Sequence, residues 1–114
     1  MTSKTRNCEV SVHFYAKAIL RGYLNKWVHI AERRYEHGDY EGALMLYSYG
    51  SLLGLPKASF SAGYLWEKGL TGRFRCALDH KYQCALYYYM NGIDYFKSQE
   101  KIADLIYWKI PKTL

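Results

Sequence analysis

The sequence is short of proline, cysteine, acidic residues and long apolar runs, and each shortage removes a class of protein. Two prolines and nine glycines in 114 residues leave no low-complexity tract, so these residues act as punctuation between elements. Three cysteines, Cys8, Cys76 and Cys84, are too few for a disulfide framework. No apolar stretch approaches the ~20 residues of a membrane span, and Met1 to Ser11 lacks the apolar segment of a signal peptide. Acidic residues number ten against sixteen Lys and Arg, giving a net charge of +6. That balance raises a nucleic-acid reading, yet the cations are scattered, and only Arg33-Arg34 and Arg73-Phe74-Arg75 cluster. Phosphate footprints concentrate charge on one face, so solvated faces are the expectation and a basic nucleic-acid-binding helical module is the alternative.

Hydrophobic residues make up 50% of the chain and tyrosine alone supplies thirteen, enough for a packed core in one domain. The pattern repeats itself. Tyr40, Ala43, Leu44 and Tyr47 recur as Tyr82, Ala85, Leu86 and Tyr89, 42 residues later, and Gly50 recurs as Gly92. Ser11 to Tyr15 is a weaker third echo. Within each cassette the spacing i, i+3, i+4, i+7 is one face of a helix. Small alanines between large residues allow helix axes to approach closely. Ile93 and Phe96 extend the second stripe by two turns.

Other helices are marked by Trp27, Ile30, Ala31 and Tyr35, by Ala58, Ala62, Leu65 and Trp66, and by Ile102, Leu105, Ile106 and Trp108. Gly38 can close one helix in the left-handed conformation while Asp39 caps the next. Gly54-Leu55-Pro56 does the same, with Pro56 opening its successor. Six helices are predicted, at about 9–21, 24–37, 40–53, 57–68, 80–95 and 98–109, with one longer connection from Gly69 to Asp79. Short turns make chain neighbours antiparallel. The expected fold is an all-α solenoid in which stacked pairs share a core, with repeat units near 8–22, 24–54, 57–96 and a partial 98–110.

A period near 40 with Ala-Leu-x-x-Tyr and an Ala-rich partner helix resembles the Sel-one-like repeat, a relative of the tetratricopeptide repeat. Lys57-Ala58 through Ala62-Gly63-Tyr64-Leu65 to Gly69 is similar to that repeat's first helix, with Ala62-Gly63 where Leu-Gly is usual. Lys101-Ile102-Ala103-Asp104 stands where Lys-Leu-Gly-Asp is usual. The order of Cys8 to Tyr15, Arg21-Gly22, Ala31 to Tyr35 and Gly38 to Tyr47 resembles one stretch of the luminal adaptor of the endoplasmic-reticulum ubiquitin ligase, Sel-one-L in animals and Hrd-three in fungi and plants. The similarity spans roughly 8–108 and is clearest over 8–69. It implies a non-catalytic scaffold that gathers misfolded proteins, lectins and a membrane-embedded ligase subunit. It also implies the endoplasmic-reticulum lumen if the chain is part of a longer protein. A complete chain would be cytoplasmic, and a stand-alone Sel-one-like scaffold without a degradation role is the other outcome.

In an oxidising lumen Cys76 and Cys84 can pair; otherwise they remain thiols. Cys76, His80 and Cys84 are spaced i, i+4, i+8, but structural zinc wants a fourth ligand and none is near. His80 beside Cys84 lacks an oxyanion loop, and Asp79 reads as a helix cap. Glu36, Glu41, Glu67 and Asp94 form no acid–base pair. No catalytic residue, metal ligand or cofactor is therefore assigned. The repeat core is assigned to Tyr40, Ala43, Leu44, Tyr47, Ala58, Ala62, Leu65, Tyr82, Ala85, Leu86, Tyr89, Ile102 and Leu105. Tyr49, Tyr64, Trp66, Tyr87 and Tyr88 are the candidate interaction surface, since aromatics with polar tips make good protein anchors.

Overall fold

The computed structural model of the chain describes residues 3–74 and 80–110. The chain is all-helical, without strands among the described residues. Its elements are α1 (Ser3–Glu36), α2 (Tyr40–Leu52), α3 (Pro56–Lys68), α4 (Lys81–Asn91) and α5 (Phe96–Asp104), with a π-helical turn over Leu105–Lys109. Contacts run between chain neighbours: α1 on α2, α2 on α3, α3 on α4 and α4 on α5. No helix among the described residues is long and apolar enough to cross a membrane.

The middle of the chain follows local chemistry closely. Asp39 caps α2, its Oδ1 accepting the Gly42 amide at 3.0 Å. Arg34 donates to the same carboxylate at 2.9 Å. Both partners hold the Asp39 carboxyl below its ordinary value, the Gly42 amide most strongly. α1, α2 and α3 end in the same way. Gly38, Gly54 and Gly69 take positive φ, and the residue after each returns its amide to a carbonyl five residues back: Asp39 to Arg34, Leu55 to Gly50, Leu70 to Leu65. That closure satisfies helix-end carbonyls which would otherwise be orphaned. Pro56 opens α3 where a missing amide costs nothing.

Three elements depart from expectation. The helices predicted at 9–21 and 24–37 are one helix of 34 residues, about 50 Å long at 1.5 Å per residue. Gly22 is the reason: a mid-helix glycine costs only about 1 kcal/mol relative to alanine, and no packed neighbour lies within 4 Å of where its Cβ would be. Among the described residues nothing forces a turn there. The next departure is α4, which stops at Asn91 rather than near 95. A Cβ on Gly92 would sit 2.7 Å from the Pro56 carbonyl, so the chain turns where it meets the start of α3. Ile93 and Phe96 consequently leave the core stripe and are exposed. The last is the helix predicted at 98–109, which divides into α5 and the π-helical turn. That turn buries Leu105 and turns Ile106, Tyr107 and Trp108 outward, Trp108 with 83% of its surface free. Ile30, expected in a core stripe, is also exposed.

Two apolar clusters result. Ala31, Ala43, Leu44, Tyr47, Ala58, Ala62 and Leu65 form the first, with Tyr40 against its edge. Ala85, Tyr89 and Leu105 form the second, with Tyr82, Leu86 and Ile102 half-buried against it. α3 lies between them, and its small residues set the spacing. A Cβ on Gly63 would fall 2.7 Å from the Tyr89 ring, and one on Gly50 would fall 2.7 Å from the Ala58 methyl. The weaker echo at 11–15 falls within α1; Val12 there is exposed, and its neighbours' side chains lie outside the described residues.

Candidate interaction groove

Burying one stripe of α2 and α4 on α3 leaves their other stripes facing outward. A side chain one or two positions from a buried one lies about 100° or 200° around the helix and so leaves the buried stripe, which decides where the tyrosines go. Tyr89 is fully buried, and Tyr88 and Tyr87, about 100° and 200° around the helix from it, leave its stripe, Tyr87 exposed and Tyr88 half-buried against the first cluster. They meet Tyr49, Met45, Leu52, Ser48, Ser51 and Asn91 across a cavity of about 370 Å³ between α2 and α4. Tyr87 and Tyr88 also border a second cavity of about 640 Å³, completed by Trp66 of α3, Phe74 of the following connection, and His80, Gln83 and Cys84. The two cavities share this tyrosine pair, whose rings meet edge to face at 5.2 Å. They form one aromatic groove. A stack of Trp27 on Tyr49, 5.1 Å between ring centres, continues the aromatic surface onto α1.

The groove is accessible and uncharged. Tyr87 is 62% exposed and Leu52 80%. Among the described residues, no Lys, Arg, Asp or Glu lines either cavity. The Trp66 indole N–H is buried without a hydrogen-bond partner among the described residues, a donor that costs free energy unpaired. Contiguous exposed aromatics rimmed by short polar side chains are the composition of protein contact surfaces.

Four of the five residues assigned to the interaction surface, Tyr49, Trp66, Tyr87 and Tyr88, therefore come together. Tyr64 does not. It lines a separate small cavity with Tyr35, Tyr47, Phe60, Ser61 and Leu65, because Tyr64 lies two positions from Trp66 and so on a different side of α3. All thirteen residues assigned to the repeat core lie in or against the two apolar clusters. Burial raises the Tyr47 hydroxyl to about 12, with the Glu32 charge adding to the effect and the Ser61 hydrogen bond opposing it. Burial likewise raises the Tyr89 hydroxyl, reinforced by the adjacent Glu67 carboxylate.

The groove's wall at Phe74 is held by a clasp invisible in the sequence. Arg73 donates to Glu41 from its side chain at 3.1 Å and from its amide at 3.4 Å. That hydrogen bond and charge hold the Glu41 carboxyl below its ordinary value. Across the groove, Cys84 is disulfide-bonded, which removes it as a thiolate nucleophile or metal ligand. Cys76 and Asp79, a predicted partner and a predicted cap, lie outside the described residues. Sequence reasoning also passed over Glu67. Its side chain is only 2% exposed, and Tyr89 donates to its Oε1 at 3.3 Å, while Lys109 donates to Oε2 at 3.4 Å. The partners lie 22 and 42 positions away, so no local spacing could have revealed them. No family model matches the chain, and comparison with curated proteins and with solved structures likewise finds no match.

Proposed function

We propose that this chain is a non-catalytic protein-binding scaffold, built as a solenoid of antiparallel helix pairs of the Sel-one-like kind. The observation that carries the reading is the uncharged aromatic groove spanning α2, α3 and α4. Its exposed Tyr87, Tyr49 and Leu52 suit a polypeptide that offers apolar side chains and backbone hydrogen-bonding groups. They do not suit a phosphate backbone, which calls for cations that the groove's lining lacks among the described residues. The two tyrosine cassettes support the repeat assignment, since both present a buried Ala and a buried final Tyr toward α3.

Within that class, the reading is a fragment or short relative of the adaptor that brings misfolded proteins to the endoplasmic-reticulum ubiquitin ligase. Its partners would be a ligase subunit, a lectin or a misfolded client. Segment order along residues 8–69 supports this, and so does a disulfide at Cys84, a bond that persists in oxidising compartments. Proximity labelling of the endogenous protein tests the assignment. Neighbours from the lumen and the ligase are expected; a purely cytosolic set contradicts it. Copurification from cells carrying Tyr87→Ala with Tyr49→Ala tests the groove, with partner recovery expected to fall while the fold is retained.

A further inference from the structure

Away from the groove, three lysines converge on one buried carboxylate, and their number exceeds what that carboxylate requires. Around Glu67 Oε2 lie the ammonium groups of Lys109 at 3.4 Å, Lys101 at 3.7 Å and Lys68 at 3.9 Å. Lys68 and Lys101 sit over the Tyr64 ring at 5.7 and 6.0 Å. Lys81 and Lys109 sit over the Tyr82 ring at 5.0 and 5.8 Å. The lysines come from the end of α3, the start of α4, α5 and the π-helical turn, so the fold assembles them and no helical spacing does.

One carboxylate neutralises one ammonium. The remainder repel one another at short range, an arrangement that favours a second anion. Of the three lysines beside Glu67, only Lys109 lies within hydrogen-bonding distance of it. The side chains of Lys68, Lys101 and Lys109 are 47%, 31% and 39% exposed, which leaves ammonium protons open to solvent. Glu67, itself almost wholly buried and tied to Tyr89, holds the cations in register, and the two tyrosine rings support them from either side.

We propose that this lysine cluster is an oxyanion site that takes a phosphate group. A dianion matches the surplus positive charge better than a single carboxylate does. The site is separate from the aromatic groove and does not depend on the reading of that groove.

The test is a titration of the full chain with inorganic phosphate and with O-phosphoserine at constant ionic strength, followed by the NMR signals of the lysine side chains. Saturable shifts at Lys68, Lys101 and Lys109 are expected, with affinity lowered about tenfold in a Lys68→Gln, Lys101→Gln variant. These lysines are part-exposed, so the variant is expected to keep its fold, checked by circular dichroism. A fold lost in that variant moves the comparison to Lys101→Gln alone, whose ammonium lies 3.7 Å from Glu67 Oε2 and makes no hydrogen bond to it. Tighter binding of O-phosphoserine identifies a phosphate ester as the ligand, and equal binding identifies the free ion. Shifts no larger than those from chloride, or binding unchanged in the variants, overturn the proposal.

Discussion

The cassettes at 40–47 and 82–89 begin from the same residue pattern and end in different surroundings. Leu44 is buried in a cluster of seven residues contributed by α1, α2 and α3, whereas Leu86 is half-buried beside a cluster of three. The first cassette's final tyrosine, Tyr47, has a neutral hydrogen-bond partner in Ser61. Its counterpart Tyr89 donates to a buried carboxylate ringed by lysines. The first helix has a side-chain cap in Asp39; the second begins at His80 with none. The lesson is that a stripe specifies which face turns inward, while the neighbours decide what holds it there. With helices on both sides, α2 relies on apolar contact. α4 has a thinner partner in α5 and the π-helical turn, and an ionic node fills the gap.

The sharpest way to break this comparison is to truncate the equivalent leucines. Leu44→Ala should cost about 2–5 kcal/mol in chemical denaturation, and Leu86→Ala nearer 1–2 kcal/mol. Equal losses would mean that the two cassettes are buried alike. Next comes the node. Glu67→Gln keeps the volume and the bond from Tyr89 but leaves the lysines facing each other, and should cost about 1–3 kcal/mol. The loss should shrink in high salt, because the lysines are part-exposed. A loss unaffected by salt would assign Glu67 a packing role only.

Alkaline unfolding gives a third, smaller contrast. The Tyr47 hydroxyl is raised to about 12 from 10.0 in the folded chain. Its proton is kept by the folded state and lost by the unfolded one as pH rises above 10. Stability from this group is thus complete below about 10 and disappears as pH climbs to about 12. Tyr47→Phe should flatten that part of the stability curve, and the remaining slope should be reduced further by Tyr89→Phe. The smallest effect is expected at the cap. Asp39→Ala should lower Tm by roughly a few degrees and lose its effect in acid, because a carboxyl held low contributes only above its folded pKa. His80→Ala, which removes no side-chain cap bond, should leave Tm close to unchanged.

Sequence alone reached most of α2 and α3 because their signals are local: a cap at Asp39, stops at Gly38, Gly54 and Gly69, and Pro56 at a helix start. It failed at Gly22 for the opposite reason. A glycine breaks a helix only where something on the outside rewards the turn, and among the described residues nothing packs there. Ile93 and Phe96 continue the stripe on paper, but Gly92 meets Pro56 first, a contact between positions 36 residues apart. The groove was partly legible, since Tyr87 and Tyr88 cannot share the stripe of Tyr89. Tyr64 was misplaced with them because aromatic identity says nothing about which side of α3 a residue occupies. Glu67 was illegible as a hub. Its meaning depends on Tyr89, Lys101 and Lys109, which only the folded chain brings to it.

Photo-crosslinking from single positions tests the groove most directly. With p-benzoylphenylalanine replacing Tyr87, Tyr49 or Tyr64 in turn, cells should yield adducts to the same ligase subunit, lectin or client protein from positions 87 and 49, and little from 64. Adducts from 64 as strong as those from 87, or no protein adduct from either groove position, would contradict the account.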